Sequence, residues 1–129
     1  SATPFYHPIL PLVCDTDIAQ ISHPYVPLPA RFRYPEDAAV QLERARDYMT
    51  HSFGRAPAGV WPSEGSVSDE ALALAYDAGF RWFATDNGVL ARTIHHAATP
   101  EVTYQPYLWK QGNREMHGLF RDHTLSDLI

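Results

Sequence analysis

The sequence has 129 residues, with 10 Lys and Arg against 15 Asp and Glu, a formal net charge of −5 and a hydrophobic share of 45%. This composition is typical of a soluble globular domain and lacks the basic surface that marks nucleic-acid binding. No apolar stretch is long enough to span a membrane, no signal peptide is visible, and the single cysteine excludes an internal disulfide. We therefore expect a cytoplasmic protein with no nucleic-acid or membrane partner.

The first half of the chain predicts one long helix that follows proline-rich segments. Residues 8–14 form a short apolar run that is typical of a buried strand, and residues 15–36 are typical of an extended loop stiffened by proline. Residues 36–53 predict an amphipathic helix that ends at Gly54, because apolar side chains recur at steps of four, three and four. These apolar positions are Ala38, Leu42, Ala45 and Met49.

The second half predicts strands that alternate with helices. A short strand at residues 59–62 precedes a helix that starts at residues 66–70, where hydroxyl and carboxylate side chains suit a first turn, and that ends at Gly79. Alternating strands and helices favour an α/β fold with a mainly parallel sheet. The remaining predicted elements are a strand at residues 80–86, a turn at 86–88, two strands at 103–110 and 116–120 that favour a hairpin, and a helix from 124 to 129.

Three carboxylates follow predicted strands and are candidates for chemistry. In parallel α/β folds, functional side chains lie where strands lead into the following loops. Glu64, Asp86 and Asp122 each come just after a predicted strand, whereas His7 precedes the predicted strand at residues 8–14. We therefore expect the three carboxylates to share one edge of the sheet.

The local context of each carboxylate leaves two interpretations open. Glu64 lies between a short strand and a helix start, which suits either an ionised nucleophile or an ordinary helix-capping glutamate. Asp122 stands between Arg121 and His123, which suits either a carboxyl group with a tuned pKa or a surface ion pair. Asp127 competes with Asp122 for the same role.

Other kinds of catalytic site lack support in the sequence. The seven histidines include no His-x-x-x-His or Glu-x-x-His spacing, and there is no Gly-x-Ser-x-Gly motif or phosphate-binding loop. We expect no metal and no organic cofactor. Two carboxylates on strand-end loops with aromatic residues nearby are typical of glycoside hydrolysis.

Three segments resemble glycoside hydrolase family 57, which comprises α-glucan-active amylases, amylopullulanases, glucanotransferases and branching enzymes. They are TPFYHPILPL at residues 3–12, GVWPSEGSVSDE at residues 59–70 and FRDHTLSDLI at residues 120–129. The resemblance implies a segment of an irregular (β/α)7 barrel and a retaining mechanism on an α-glucan, by hydrolysis or by transglycosylation.

The resemblance also assigns roles to individual residues. Glu64 matches the family's nucleophile, and Asp122 best matches the general acid/base, with Asp127 as the alternative. His7 and Trp61 would bind or stack on the substrate. Asp86 and His123 would line the same pocket.

The sequence also departs from the family's pattern. The His-Gln-Pro-type motif is absent, and Asn87 stands where an acidic residue is more usual. Because a complete barrel needs about 250 residues, we expect residues 1–129 to form a single partial catalytic domain that lacks its N- and C-terminal barrel elements and whose activity alone is weak or absent.

Two other functions remain open from the sequence. One is a non-catalytic carbohydrate-binding or self-associating α/β domain, with Trp61, Trp82 and Trp109 as aromatic platforms and exposed sheet edges that favour homo-oligomers. The other is a metal-dependent, deacetylase-like hydrolase, which needs a metal-binding set of His and Asp side chains.

Overall fold

The computed structural model describes residues 1–128 and shows a mixed α/β fold around a four-stranded sheet. The strands are β1 (Gly59–Val60), β2 (Trp82–Asp86), β3 (Tyr107–Gln111) and β4 (Arg114–Arg121), and their spatial order is β1-β2-β4-β3. Strand β2 is parallel to both β1 and β4, whereas β3 and β4 form an antiparallel hairpin. The predicted α/β fold with a mainly parallel sheet is confirmed.

Seven helices accompany the sheet within the described residues. They are α1 (Leu10–Cys14), α2 (Ala19–Ser22), α3 (Pro35–Phe53), α4 (Asp69–Asp77), α5 (Asn87–Ile94), α6 (Pro100–Thr103) and α7 (His123–Asp127). Helices α1, α3 and α4 pack on one another, and α4 packs on β4. None of these helices is long and apolar enough to cross a membrane.

The two longest predicted helices are confirmed together with the signals that bound them. Helix α3 buries Ala38, Leu42 and Ala45 of the predicted apolar stripe, while Met49 is half-buried. The helix ends at Gly54, whose φ of 69° is the left-handed conformation that glycine adopts without strain. Helix α4 begins after Ser68, whose side chain accepts a hydrogen bond from the backbone N–H of Ala71.

The predicted strand at residues 8–14 is wrong, because this segment forms helix α1. Its buried residues Leu10, Pro11 and Cys14 fit one face of a helical turn. Pro11 lies in the first turn, where its missing N–H costs no hydrogen bond. A short apolar run does not by itself separate a buried strand from a buried helix.

Two smaller predictions also need correction. Residues 86–88 do not form a turn but start helix α5, because the Asp86 side chain accepts a hydrogen bond from the backbone N–H of Gly88 and caps the helix. Strand β3 begins only at Tyr107, since Thr103 belongs to the short helix α6. The predicted final helix is present as α7, and Ile129 lies outside the described residues.

The hydrophobic core lies between the sheet and helices α1, α3 and α4. Its largest fully buried side chains come from every layer of the fold, and they hold the carboxyl edge of the sheet in a fixed relation to the helices. They include Leu10, Leu42, Val60, Phe80 and Met116.

Candidate active site

The parallel strands bring their carboxyl ends to one edge of the sheet. Glu64 follows β1, Asp86 ends β2 and Asp122 follows β4. His7 lies at the same edge, because Ala2 pairs in parallel with Val60 and the chain then continues in the same direction. The prediction that His7 precedes a strand is therefore wrong, since His7 follows an extended segment that adjoins β1.

A pocket of about 240 Å³ opens at this edge. Its lining residues are His7, Trp61, Glu64, Gly65, Asp86 and Arg121. Four of the seven residues to which the resemblance assigns a role thus line one pocket. Asp122 is not among the lining residues, and His123 is connected to the pocket only through its contact with Asp86.

The side chains of Glu64 and His7 contact each other at this pocket, and each of the two residues has an unusual backbone conformation. His7 Nε2 lies 3.2 Å from Glu64 Oε1. Both residues have left-handed backbone angles, with φ of 57° at His7 and 56° at Glu64. A non-glycine residue in this region costs about 1–3 kcal/mol, and such residues cluster at functional sites.

The turn that carries Glu64 is anchored to the neighbouring strand. Residues Ser63–Gly65 form a 3₁₀ turn, and Gly65 adopts a φ of 65°, which suits glycine. The buried Thr85 of β2 donates a hydrogen bond from Oγ1 to the carbonyl oxygen of Gly65. The position of Glu64 therefore depends on a side chain 20 residues after Gly65 in the chain.

Asp86 is an ionised anchor between the sheet and the following helices. Burial raises its pKa, but hydrogen bonds from the backbone N–H of Gly88, from Arg121 Nε and from His123 together outweigh burial and lower the pKa below its usual value. The Arg121 Nε–Asp86 Oδ2 distance is 2.9 Å. Arg121 and His123 also contact Asp127, at 3.5 and 3.1 Å, so the two carboxylates and the two basic side chains form a closed ring.

Asp122 points its carboxyl group at other partners. The Tyr104 hydroxyl donates to Oδ2, and the backbone N–H of Leu125 donates to Oδ1 at 3.0 Å. The hydrogen bond from Tyr104, followed by that from Leu125, lowers the pKa of Asp122. These contacts favour the ionised carboxylate and make Asp122 the N-cap of α7.

Two residues of the site were missed in the sequence. The sequence indicates Arg121 only as a neighbour of Asp122 and gives no indication of Thr85. The parallel register pairs Asp86 with Arg121 across β2 and β4, a long-range pairing that has no local signal. The local signal is the alternation of side chains along β4, which sets the face on which Arg121, its last residue, lies.

The described part of the chain contains no cluster of three or more His, Cys, Asp or Glu side chains that could hold a metal ion. The carboxylates of the pocket are instead paired with His7, Arg121 and His123. The arrangement offers one carboxylate open to the pocket, Glu64, and one fixed negative charge, Asp86.

Comparison with known proteins identifies the family. The model of glycosyl hydrolase family 57 matches residues 1–129. The chain belongs to this family. The resemblance carried by the three sequence segments is thereby confirmed.

A solved structure also shows the same fold. The crystal structure of 4-alpha-glucanotransferase from Thermococcus litoralis matches with a TM-score of 0.72 and 22% sequence identity. The match covers 98% of this chain and 16% of that chain, so this chain spans about a sixth of the length of its structural neighbour. Comparison with curated proteins found no significant match.

Proposed function

We propose that this family 57 chain carries the nucleophile of a retaining glycosidase or transglycosylase that acts on α-glucans. The main support is the contact between Glu64 and His7 at the carboxyl edge of a parallel sheet, where both residues adopt left-handed backbone angles. The glucanotransferase neighbour shares the fold. We further propose that the chain is part of one catalytic domain, an irregular (β/α)7 barrel.

In this mechanism, a carboxylate oxygen of Glu64 attacks the anomeric carbon and forms a glycosyl-enzyme ester. The bond from that carbon to the leaving oxygen breaks, its electron pair stays on the leaving oxygen, and a general acid supplies the proton. In the second half, the same group removes a proton from water or from a sugar hydroxyl, which attacks the anomeric carbon and frees Glu64. Water gives hydrolysis and a sugar acceptor gives transglycosylation.

The other pocket residues suit substrate binding. The ring of Trp61 offers an apolar face for a sugar ring, as aromatic side chains commonly do in saccharide sites. The ionised carboxylate of Asp86 is an acceptor for sugar hydroxyls, and Arg121 offers donors beside it.

The sequence proposes Asp122 as the general acid/base, with Asp127 as the alternative. A general acid must hold a proton at the working pH, which usually requires a raised pKa. The hydrogen bonds of Asp122 act in the opposite direction, and Asp127 is paired with Arg121 and His123. Asp122→Asn tests the assignment: loss of the basic limb of the pH–rate profile would support Asp122 as the general acid/base, and retention of that limb would support a structural role.

The test of the proposed function is Glu64→Ala with chemical rescue. In the protein that carries the complete catalytic domain, malto-oligosaccharides should be turned over, and Glu64→Ala should lower turnover by at least about 10³-fold. Added azide should restore turnover and give a glycosyl azide of inverted configuration, because azide then replaces the missing carboxylate.

Glu43→Ala is the matched control, since Glu43 is exposed on α3. Unchanged turnover in Glu64→Ala would contradict the proposal. Saccharide binding without any turnover in the protein that carries the complete catalytic domain would instead favour the carbohydrate-binding alternative.

A further inference from the structure

Three side chains from two distant segments form a chain of hydrogen bonds at the pocket. Thr3 Oγ1 lies 3.2 Å from His7 Nδ1, and His7 Nε2 lies 3.2 Å from Glu64 Oε1. The second contact joins residues 57 apart in the chain. Each nitrogen of the imidazole ring therefore has one defined partner.

The chemistry of the partners determines which atom donates. An ionised carboxylate only accepts hydrogen bonds, so Nε2 of His7 must carry the proton that it shares with Glu64. In the neutral ring, Nδ1 then has a lone pair, and the Thr3 hydroxyl is its donor. The carboxylate of Glu64 thus selects the Nε2–H tautomer of His7, and the Thr3 hydroxyl, which can donate to Nδ1, fixes the orientation of the ring, in the way that outer partners orient functional histidines.

The loop that carries His7 is held by other contacts. The backbone N–H of His7 donates to the carbonyl of Pro4 at 2.9 Å, and the backbone N–H of Tyr6 donates to Gln41 Oε1 on α3 at 2.9 Å. The contact between His7 and Glu64 is therefore not needed to fold the loop. The two side chains are 52% and 71% exposed, so their pairing adds little to stability.

We propose that His7 is a positioning residue for the Glu64 nucleophile and that Thr3 positions His7. The inference rests on the proposed function. Nε2–H of His7 holds Oε1, which leaves Oε2 of Glu64 as the oxygen that bonds to the anomeric carbon while the leaving oxygen takes a proton from the general acid. Oε1 becomes the carbonyl oxygen of the ester and still accepts from His7.

Two substitutions at His7 separate positioning from substrate binding. Asn tolerates the left-handed backbone of residue 7, but its short amide does not reach Oε1. Gln places an amide N–H close to the position of Nε2. We expect His7→Asn to lower kcat about 10²-fold with KM changed less than about threefold, and His7→Gln to recover most of kcat. His51→Asn, on an exposed residue of α3, is the control for a histidine outside the pocket.

Substitutions at Thr3 test its role through kcat, which should not change if Thr3 had only a structural role. Two-bond ¹H–¹⁵N NMR of the parent protein should show His7 as the Nε2–H tautomer. Thr3→Val should loosen the orientation of the His7 ring and lower kcat while the Nε2–H tautomer persists, and Thr3→Ser, which keeps the hydroxyl, should preserve kcat. Thermal unfolding of each variant within a few degrees of the parent confirms that the fold is intact.

The outcomes distinguish this inference from the proposed function. Turnover that does not depend on Glu64 overturns both. Turnover that depends on Glu64 but keeps its kcat in His7→Asn overturns the positioning role alone. A raised KM with unchanged kcat in His7→Asn also overturns it, because His7 would then bind substrate rather than orient the nucleophile.

Discussion

The hydrogen bond from Thr85 to Gly65 links the stability of the fold to the position of Glu64, the proposed nucleophile. Thr85 is fully buried on β2, and its Oγ1 donates to the carbonyl oxygen of Gly65, which follows Glu64 in the 3₁₀ turn. Thr85→Val removes the hydroxyl and keeps the side-chain shape. The substitution therefore tests this one hydrogen bond without opening a cavity.

The expected loss of stability follows from the partner that remains. A buried carbonyl that loses its donor costs about 1–3 kcal/mol. At about 4 °C per kcal/mol for a domain of this size, Tm should fall by roughly 4–12 °C. Since the turn that carries Glu64 loses its anchor, kcat should also fall, by about tenfold or more if the carboxylate moves by a fraction of an ångström.

Urea and thermal unfolding measure the first effect, and turnover of malto-oligosaccharides measures the second. Thr85→Ser is the matched control, because it keeps the donor and loses only a methyl group, at a cost of about 1 kcal/mol. The serine variant should retain kcat. A valine variant as stable and as active as the parent would refute the reasoning, because Gly65 would then not depend on Thr85.

Three further predictions concern other parts of the fold. A hydrogen bond from Arg31 lowers the pKa of Asp15 to about 2. The stability that Asp15 contributes should therefore be present above about pH 4 and lost as the pH falls toward 2. Urea unfolding of the parent and of Asp15→Asn across this range measures the effect, and a difference in stability that does not change with pH would contradict it. Burial raises the pKa of the Cys14 thiol to about 11. Labelling by Ellman's reagent at pH 8 should therefore be slow in the native protein and rapid in denaturant. Equal labelling rates in the two conditions would contradict this prediction. Gly59→Ala should destabilise the protein by about 1–3 kcal/mol or more, because the new Cβ would lie 2.0 Å from the Trp82 ring. Thermal unfolding measures this effect, and an unchanged Tm would show that the ring moves freely.

Local signals in the sequence account for much of the fold. The apolar repeat of α3, the glycine at its end and the serine cap of α4 each act within a few residues, so a sequence pattern reports them directly. The placement of Glu64 and Asp86 after strands also follows from the order of elements. These features predict which edge of the sheet carries the chemistry.

Features that depend on long-range contacts were not accessible in the same way. Helix α1 has the apolar composition of a strand, and only its packing against α3 and α4 distinguishes the two. The Asn-Gly pair at the start of α5 is typical of a turn, but the cap provided by Asp86 allows a helix. The anchoring of Glu64 by His7 and by Thr85 joins segments whose spacing carries no signal.

Arg121 and Asp122 show that a position at the carboxyl edge of the sheet does not by itself place a residue in the site. Arg121 is the last residue of β4 and Asp122 follows it, and both belong to the segment FRDHTLSDLI. Because side chains alternate along a strand, adjacent residues at its end do not share a direction. Arg121 lines the pocket and contacts Asp86, whereas Asp122 turns to Tyr104 and caps α7. The atoms with which a carboxylate already forms hydrogen bonds are therefore a better guide to a catalytic role than its neighbours in the sequence.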